Sequence, residues 1–152
     1  MTTCSDVMTQ HPVYCLPTDT VLRAAQLMRD EDVGPVPVVE SHETKAVIGI
    51  VTDRDLTVKI LAEGRNIDST LDEVMTTAPL VCRTSDNLQS ALDAMADAKV
   101  RRIPVVDGHE RLVGIISQAD VATRIGVPRK TGEVVAEISR TSRPDSGSAL
   151  KV

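Results

Sequence analysis

The chain has 152 residues, a net charge of -5, and 41% apolar and 26% charged residues, enough to bury one domain's core and without general attraction for nucleic acid. It contains no Trp, no Phe and a single Tyr, Tyr14, which removes the aromatic platforms that bind single-stranded nucleic acid and many sugars or cations. No run approaches the roughly 18 apolar residues of a membrane helix, and the polar start has no signal-peptide core, so the expected location is the cytoplasm, away from membranes.

In chain order, Pro12 and Pro79 each precede a short extended segment, 14–16 and 80–82. Thr18 and Ser85 then read as helix caps. Behind them apolar residues recur at helical spacing, Val21, Ala24, Ala25 and Met28, then Leu88, Ala91, Leu92 and Met95. A β-branched strand follows at 36–39 and again at 103–106. Each carries a proline, Pro37 or Pro104, which lacks an N–H and is expected at a sheet edge or a strand's start. Short turns at 41–44 and 107–110 lead into strands at 47–51 and 112–116, a spacing that predicts antiparallel hairpins. A second helix is expected over 53–62, stopped by Gly64, and over 118–125, stopped by Gly126 and Pro128. Beyond it, 130–140 has a Thr131 cap and apolar spacing for one added helix, and the Ser-, Pro- and Gly-rich stretch 142–152 reads as a disordered tail.

These elements are one unit used twice. A shift of 67 positions lays Val7-Met8-Thr9 on Val74-Met75-Thr76, Pro12 on Pro79 and Cys15 on Cys82, and a two-residue difference in the later turn brings Gly49 onto Gly114. The fold class is therefore mixed α and β, with two β-α-β-β-α repeats at 1–64 and 73–126, a linker at 65–72, and a C-terminal helix and tail at 127–152. Each copy, at roughly 60 residues, is marginal alone, so the two are expected to pack together.

The repeated chemistry lies in Gly49-Ile50-Val51-Thr52-Asp53-Arg54-Asp55 and in Gly114-Ile115-Ile116-Ser117-Gln118-Ala119-Asp120. A buried strand turns into a helix, with a hydroxyl three positions before an Asp. That is a capping box, in which each side chain satisfies an orphaned backbone N–H, and it requires no ligand. The same turn gathers a hydroxyl, a carboxylate and the free N–H groups of a helix start, which favour an anion. Arg54, Arg101 and Arg102 are candidate phosphate contacts, although exposed arginines are ordinarily just solvated. The copies differ, with Gly34-Pro35 against Arg101-Arg102 and Asp53-Arg54 against Gln118-Ala119, so the two turns are not expected to be equivalent.

The cysteines Cys4, Cys15 and Cys82 lack Cys-x-x-Cys spacing and are expected as buried thiols. His11, His42 and His109 fall in turns or linkers, and neither a Ser/His/Asp or Cys/His arrangement nor a Walker-type Gly-x-x-x-x-Gly-Lys is visible. No catalytic residue, metal ligand or required cofactor is assigned, and neither an enzyme nor a nucleic-acid binder is expected.

The ordered set of Val7-Met8-Thr9, Val36-Pro37-Val38-Val39 and the Gly-to-Asp stretch, present twice, resembles the cystathionine β-synthase (CBS) domain, two of which in tandem form a Bateman module. The layout is similar to small actinobacterial proteins of the hypoxic-response type. The resemblance covers about 6–126 and implies a pseudo-symmetric pair of repeats with an inter-repeat cleft for AMP, ADP, ATP or S-adenosylmethionine, a regulatory energy- or stress-sensing role, and a homodimer. It further implies that Asp55 and Asp120 accept hydrogen bonds from ribose hydroxyls and that Thr52 and Ser117 face the ribose or α-phosphate. Arg54 and Arg102 would meet phosphate, while adenine would lie against Val36, Ile50, Ile103 and Tyr14, with small, uncharged Gly34 nearby. The Thr52/Asp55 turn is expected to be the better site. The rival expectation is a non-catalytic interaction module whose clefts bind no nucleotide.

Overall fold

In this computed structural model, which describes residues 1–124, the long helices start from their caps. Helix α2 (Val21–Glu31) begins where Thr20 Oγ1 accepts from the Arg23 N–H at 3.1 Å, and α4 (Leu88–Ala98) where Asn87 Oδ1 accepts from the N–H groups of Gln89 and Ser90. Thr18 and Ser85 are therefore not the caps. The intervening acids explain the shift, because Asp19 accepts from the Leu16 N–H and Asp86 from the Arg83 N–H, each at 2.8 Å, and fold 16–19 and 83–86 into turns of their own. Both helices end on left-handed residues, Asp32 at φ 55° and Lys99 at φ 58°.

Helix α4 buries Leu88, Ala91, Leu92 and Met95 as expected, but α2 buries Val21, Ala24, Leu27 and Met28 and leaves Ala25 exposed. Ala25 and Leu27 flank the same apolar stripe on opposite sides. Leucine has far more apolar surface to remove from water, so the helix rolls toward it.

The described chain forms two compact units that are not contiguous in sequence, one of Met1–Gln10, Val81–Val105 and 114–124, the other of His11–Leu80 and Val106–Val113. In the second of these, strands β2 (Val36–Val39), β3 (Val47–Val51) and β4 (Thr76–Thr77) form an antiparallel sheet in the order β2-β3-β4. The β2–β3 turn is closed by Ser41 Oγ, which accepts from the Thr44 N–H at 3.0 Å. Cys15, Val21, Ala24, Leu27, Met28, Val36, Val38, Val51, Ile60, Leu71 and Val74 form its core. Burial pushes the Cys15 thiol up to about 11. Pro37 lies on the edge strand. Cys15 runs parallel beside it, donating its N–H to the Pro37 carbonyl (3.0 Å) and accepting from the Val39 N–H (2.9 Å), so the flanking segment bypasses the missing donor.

Strands β1 (Thr9–Gln10), β5 (Cys82–Arg83), β6 (Arg102–Val106) and β7 (Leu112–Ser117) form a second sheet in the order β1-β7-β6-β5, and helices α1 (Cys4–Val7), α4 and α5 (Gln118–Arg124) belong to the other unit, as do all the residues of these strands except Val106, Leu112 and Val113. Pro104 thus lies within an inner strand, against the edge expectation; its outer neighbour β5 is only two residues long. The N-terminal arm is bound tightly, since Cys4 N–H donates to Asp86 O (2.9 Å), Ser5 N–H to Thr84 O (3.0 Å) and Leu88 N–H to Thr2 O (2.9 Å). Cys4 and Cys82 are both buried, as Cys15 is, and hydrogen bonding to Cys4 together with burial raises the Cys82 thiol well above its usual range.

Each sheet therefore takes its short outer strand from the sequence that opens the opposite repeat. Thr9 pairs with Ile115, and Thr76 with Ile50.

The helix expected over 53–62 is not a regular α-helix. Helix α3 (Asp53–Asp55) passes directly into a π-helix (Leu56–Leu61), and Ala62 N–H donates to Thr57 O at 2.8 Å. Ile60 is seated in the core of its unit, and Leu56 packs partly buried against that core. Gly64 takes the left-handed conformation, φ 65°, past its end. The stops at Gly126 and Pro128, the added helix and the tail lie outside the described residues.

Candidate functional site

Strand β3 ends at Val51; Thr52 continues in an extended conformation, and the next residue is helical. Thr52 Oγ1 accepts from the Asp55 N–H at 3.1 Å and Asp55 Oδ2 accepts from the Thr52 N–H at 2.9 Å, a complete capping box. The second Asp55 oxygen, Oδ1, lies 3.2 Å from the Lys59 ammonium, which also donates to the Val74 carbonyl at 2.9 Å. Lys59 lies four positions after Asp55, the spacing that brings two side chains together along one face of a helix.

Around this turn, Gly34 packs so closely on Asp53 that a Cβ there would stand 3.2 Å from Asp53 Oδ1. Arg54 is exposed, with its backbone N–H on Asp53 Oδ1. Ile50 is half-buried, while Val36 is fully enclosed in its unit's core. Tyr14 turns to the 41–45 loop, where its hydroxyl meets His42 Nδ1 at 2.8 Å and the Lys45 ammonium lies 5.9 Å from its ring centre.

The matching turn in the other unit closes the same way. Ser117 Oγ accepts from the Asp120 N–H and Asp120 Oδ2 from the Ser117 N–H, both at 3.2 Å. Here Thr9 of the N-terminal arm adds its hydroxyl to Asp120 Oδ2 at 3.1 Å. Among the described residues, the buried Gln118 Nε2 has no hydrogen-bond partner. Ile103 is a core residue, and Arg102 is half-buried at the start of β6. Among the described residues, neither the Arg54 nor the Arg102 guanidinium takes part in an ion pair.

The structure thus joins Thr52 with Asp55, Gly34 with Asp53, and Ser117 with Asp120, and places Val36 and Ile103 in cores. The sequence does not single out Lys59, and it offers Thr9 and Gln118 only as parts of the repeat, not as site residues. Lys59 lies four positions after Asp55, and Thr9 is repeated as Thr76, so both had a signal. Similar hydroxyl-x-x-acid turns open at Thr3, where the N–H donates to Asp6 at 2.8 Å, and at Thr70, where it donates to Glu73 at 3.4 Å, so the capping pattern alone does not mark a ligand site.

The CBS domain family matches residues 4–62 and 71–126, one match for each repeat. The chain belongs to the CBS domain family. Among its relatives, the CBS domain-containing protein YhcV of Bacillus subtilis is 34% identical over 139 residues, 91% of this chain and 96% of that one. The crystal structure of Hypoxic Response Protein I with two coordinated zinc ions matches with a TM-score of 0.74 and 33% identity, over 82% of this chain and 99% of that one. The curated Hypoxic response protein 1 of Mycobacterium tuberculosis is likewise 33% identical, over 82% of this chain and 86% of that one. The crystal structure of CBSX2 in complex with AMP matches with a TM-score of 0.67 and 30% identity, over 80% of this chain and 94% of that one. Among the described residues of this CBS-domain pair, no group of three or more His, Cys, Asp or Glu side chains is placed to hold a metal ion, and no helix is long and apolar enough to cross a membrane.

Proposed function

We propose that this CBS-domain pair is a non-catalytic regulatory module of the cytoplasm that binds an adenosine-containing ligand, AMP, ADP, ATP or S-adenosylmethionine, and passes its occupancy on through a homodimer or a regulated protein as an energy or stress signal. The observation that carries the reading is the duplicated strand-to-helix turn. Asp55 and Asp120 each hold an ionisable carboxylate at a helix start, beside a hydroxyl and fixed by the same pair of hydrogen bonds. A carboxylate so oriented suits a ribose diol, because it accepts from both hydroxyls at once. Arg54 and Arg102 are the candidates for phosphate and half-buried Ile50 for adenine, whereas Val36 and Ile103 are enclosed in cores and Tyr14 is engaged with His42.

The second reading, an interaction module without a nucleotide, is favoured by the exposed Leu22, Val58, Leu61 and Ile67 of one unit, whose solvent exposures run from 40% to 76%. Calorimetric titration of AMP, ATP and S-adenosylmethionine into the purified protein decides between them. Saturable heat from at least one supports the sensor. Heat from none leaves the capping boxes as helix starts and favours the interaction module.

A further inference from the structure

The segment that opens each repeat is held by the same backbone ladder. Cys4 N–H donates to Asp86 O (2.9 Å) and Ser5 N–H to Thr84 O (3.0 Å), while in the other unit Leu71 N–H donates to Asp19 O (2.9 Å) and Asp72 N–H to Pro17 O (3.0 Å). Every residue in one ladder lies 67 positions from its counterpart, the offset of the repeat. By that offset Cys4 stands in the place of Leu71, and Cys82 in the place of Cys15.

Leu71 and Cys15 belong to one buried core. The other unit has a thiol at each of the two places, and both are enclosed, Cys4 at 0% exposure and Cys82 at 3%. Their side chains hydrogen-bond each other. A thiol in place of a leucine gives up apolar packing, but two adjoining thiols gain a chemistry that leucine lacks, a covalent bond across the contact. The hydrogen bond from Cys82 lowers the Cys4 thiol, against the effects of burial and of the Asp86 charge, so Cys4 ionises first. Cys15 lies in the other unit, where burial pushes its thiol up to about 11.

Such a bond would fasten the N-terminal arm. The arm places β1 on β7 through Thr9 and Ile115, and brings the Thr9 hydroxyl to Asp120 at 3.1 Å. We propose that Cys4 and Cys82 are a reversible oxidation site, at which a hydroperoxide converts the two thiols to a disulfide that ties the arm to β5. The Cys4 thiolate attacks one peroxide oxygen, the O–O bond breaks, and Cys4 becomes a sulfenic acid as hydroxide leaves. Cys82 then gives up its proton, and its sulfur attacks the Cys4 sulfur. The S–S bond forms, the S–O bond breaks, and the two hydroxides take up the protons of the two thiols. Two thiols are oxidised to one disulfide and one peroxide is reduced to two waters. A thiol reductant restores the pair. Both sulfurs are enclosed, so peroxide enters when the terminal arm lifts locally. The inference does not depend on what the Ser117–Asp120 turn binds.

The test treats the full-length protein with hydrogen peroxide, stops the reaction with catalase, alkylates free thiols in denaturant and maps peptides by mass spectrometry without reductant. The expected product is a single chain lighter by two hydrogens, with the Cys4 and Cys82 peptides joined, Cys15 alkylated, and both thiols recovered with dithiothreitol. Amide exchange at Cys4, Ser5 and Leu88 is expected to slow about tenfold or more on oxidation. Cys4→Leu copies the pairing of Leu71 with Cys15 and is expected to keep its circular dichroism and to lose the response of those amides to peroxide; Cys82→Ala takes its place if that variant does not fold.

Cys4 and Cys82 both alkylated, after a time in which the urea-unfolded chain oxidises fully, overturns the proposal. So does sulfinic acid at Cys4 with Cys82 unlinked, a bond to Cys15, or a bond between two chains. A Cys4–Cys82 disulfide that leaves the three amides exchanging at their reduced rates overturns the tying of the arm.

Discussion

Gly49 and Gly114 are the points where a strand passes beneath a methionine, Met75 or Met8, that adjoins its short outer strand. A Cβ on Gly114 would stand 2.8 Å from Met8 Cγ, and one on Gly49 would stand 2.6 Å from Met75 Sδ and 3.1 Å from the Thr76 carbonyl oxygen. Each repeat thus needs a residue without a side chain at the centre of its inner strand. Gly114→Ala is expected to cost about 1–3 kcal/mol by overpacking, read by urea denaturation. Met8→Ala in the same chain should recover about 1 kcal/mol of that; an equal loss with and without the Met8 side chain would show that the strain lies elsewhere. Both glycines, both hydroxyl–Asp pairs and their capping geometry are legible in the sequence because duplication repeats them at a fixed offset. Lys59 carries the i,i+4 spacing to Asp55, but nothing in the sequence distinguishes it from other exposed cations, and six residues do not tell a π-turn from an α-turn.

Among the elements, α2 and α4 show where hydrophobic spacing suffices and where it does not. All of α4's buried positions were legible from 3.6-residue periodicity, whereas α2 offered a choice between Ala25 and Leu27 that side-chain size decides. Leu27→Ala is expected to destabilise the protein by about 2–5 kcal/mol, and Ala25→Gln to stay within about 0.5 kcal/mol of wild type. Thermal or denaturant unfolding of the two variants makes the comparison, and a reversed order would mean that the helix is rotated from the orientation described. The caps show the same limit at shorter range. Thr18 and Ser85 are good capping residues, but Asp19 and Asp86 commit the chain to a turn first, so the cap passes to Thr20 and Asn87. Local propensity names the candidates; competition among neighbouring hydrogen bonds selects one.

For the whole molecule, the arm exchange matters most. The repeats were legible as sequence, but sequence order does not reveal that 1–10 completes the sheet containing β7, or that β4 completes the one containing β3. Two-residue strands carry too little pattern to announce a partner. Removing residues 1–10 is expected to raise amide exchange in β7 and β5 many-fold, measured by mass spectrometry, while β2 and β3 keep full-length rates. Unchanged exchange in β7 would mean that the arm contributes little to holding that strand.

The arm also sets an order of events during synthesis. Thr9 leaves the ribosome early, yet its partner Asp120 lies 111 positions later. At about 5–20 residues per second, the first strand therefore waits about 5–20 s with its backbone hydrogen-bonding groups unclaimed. A chain halted before Gly114 never finds that partner, and its bare strand becomes an invitation to a second, equally incomplete copy.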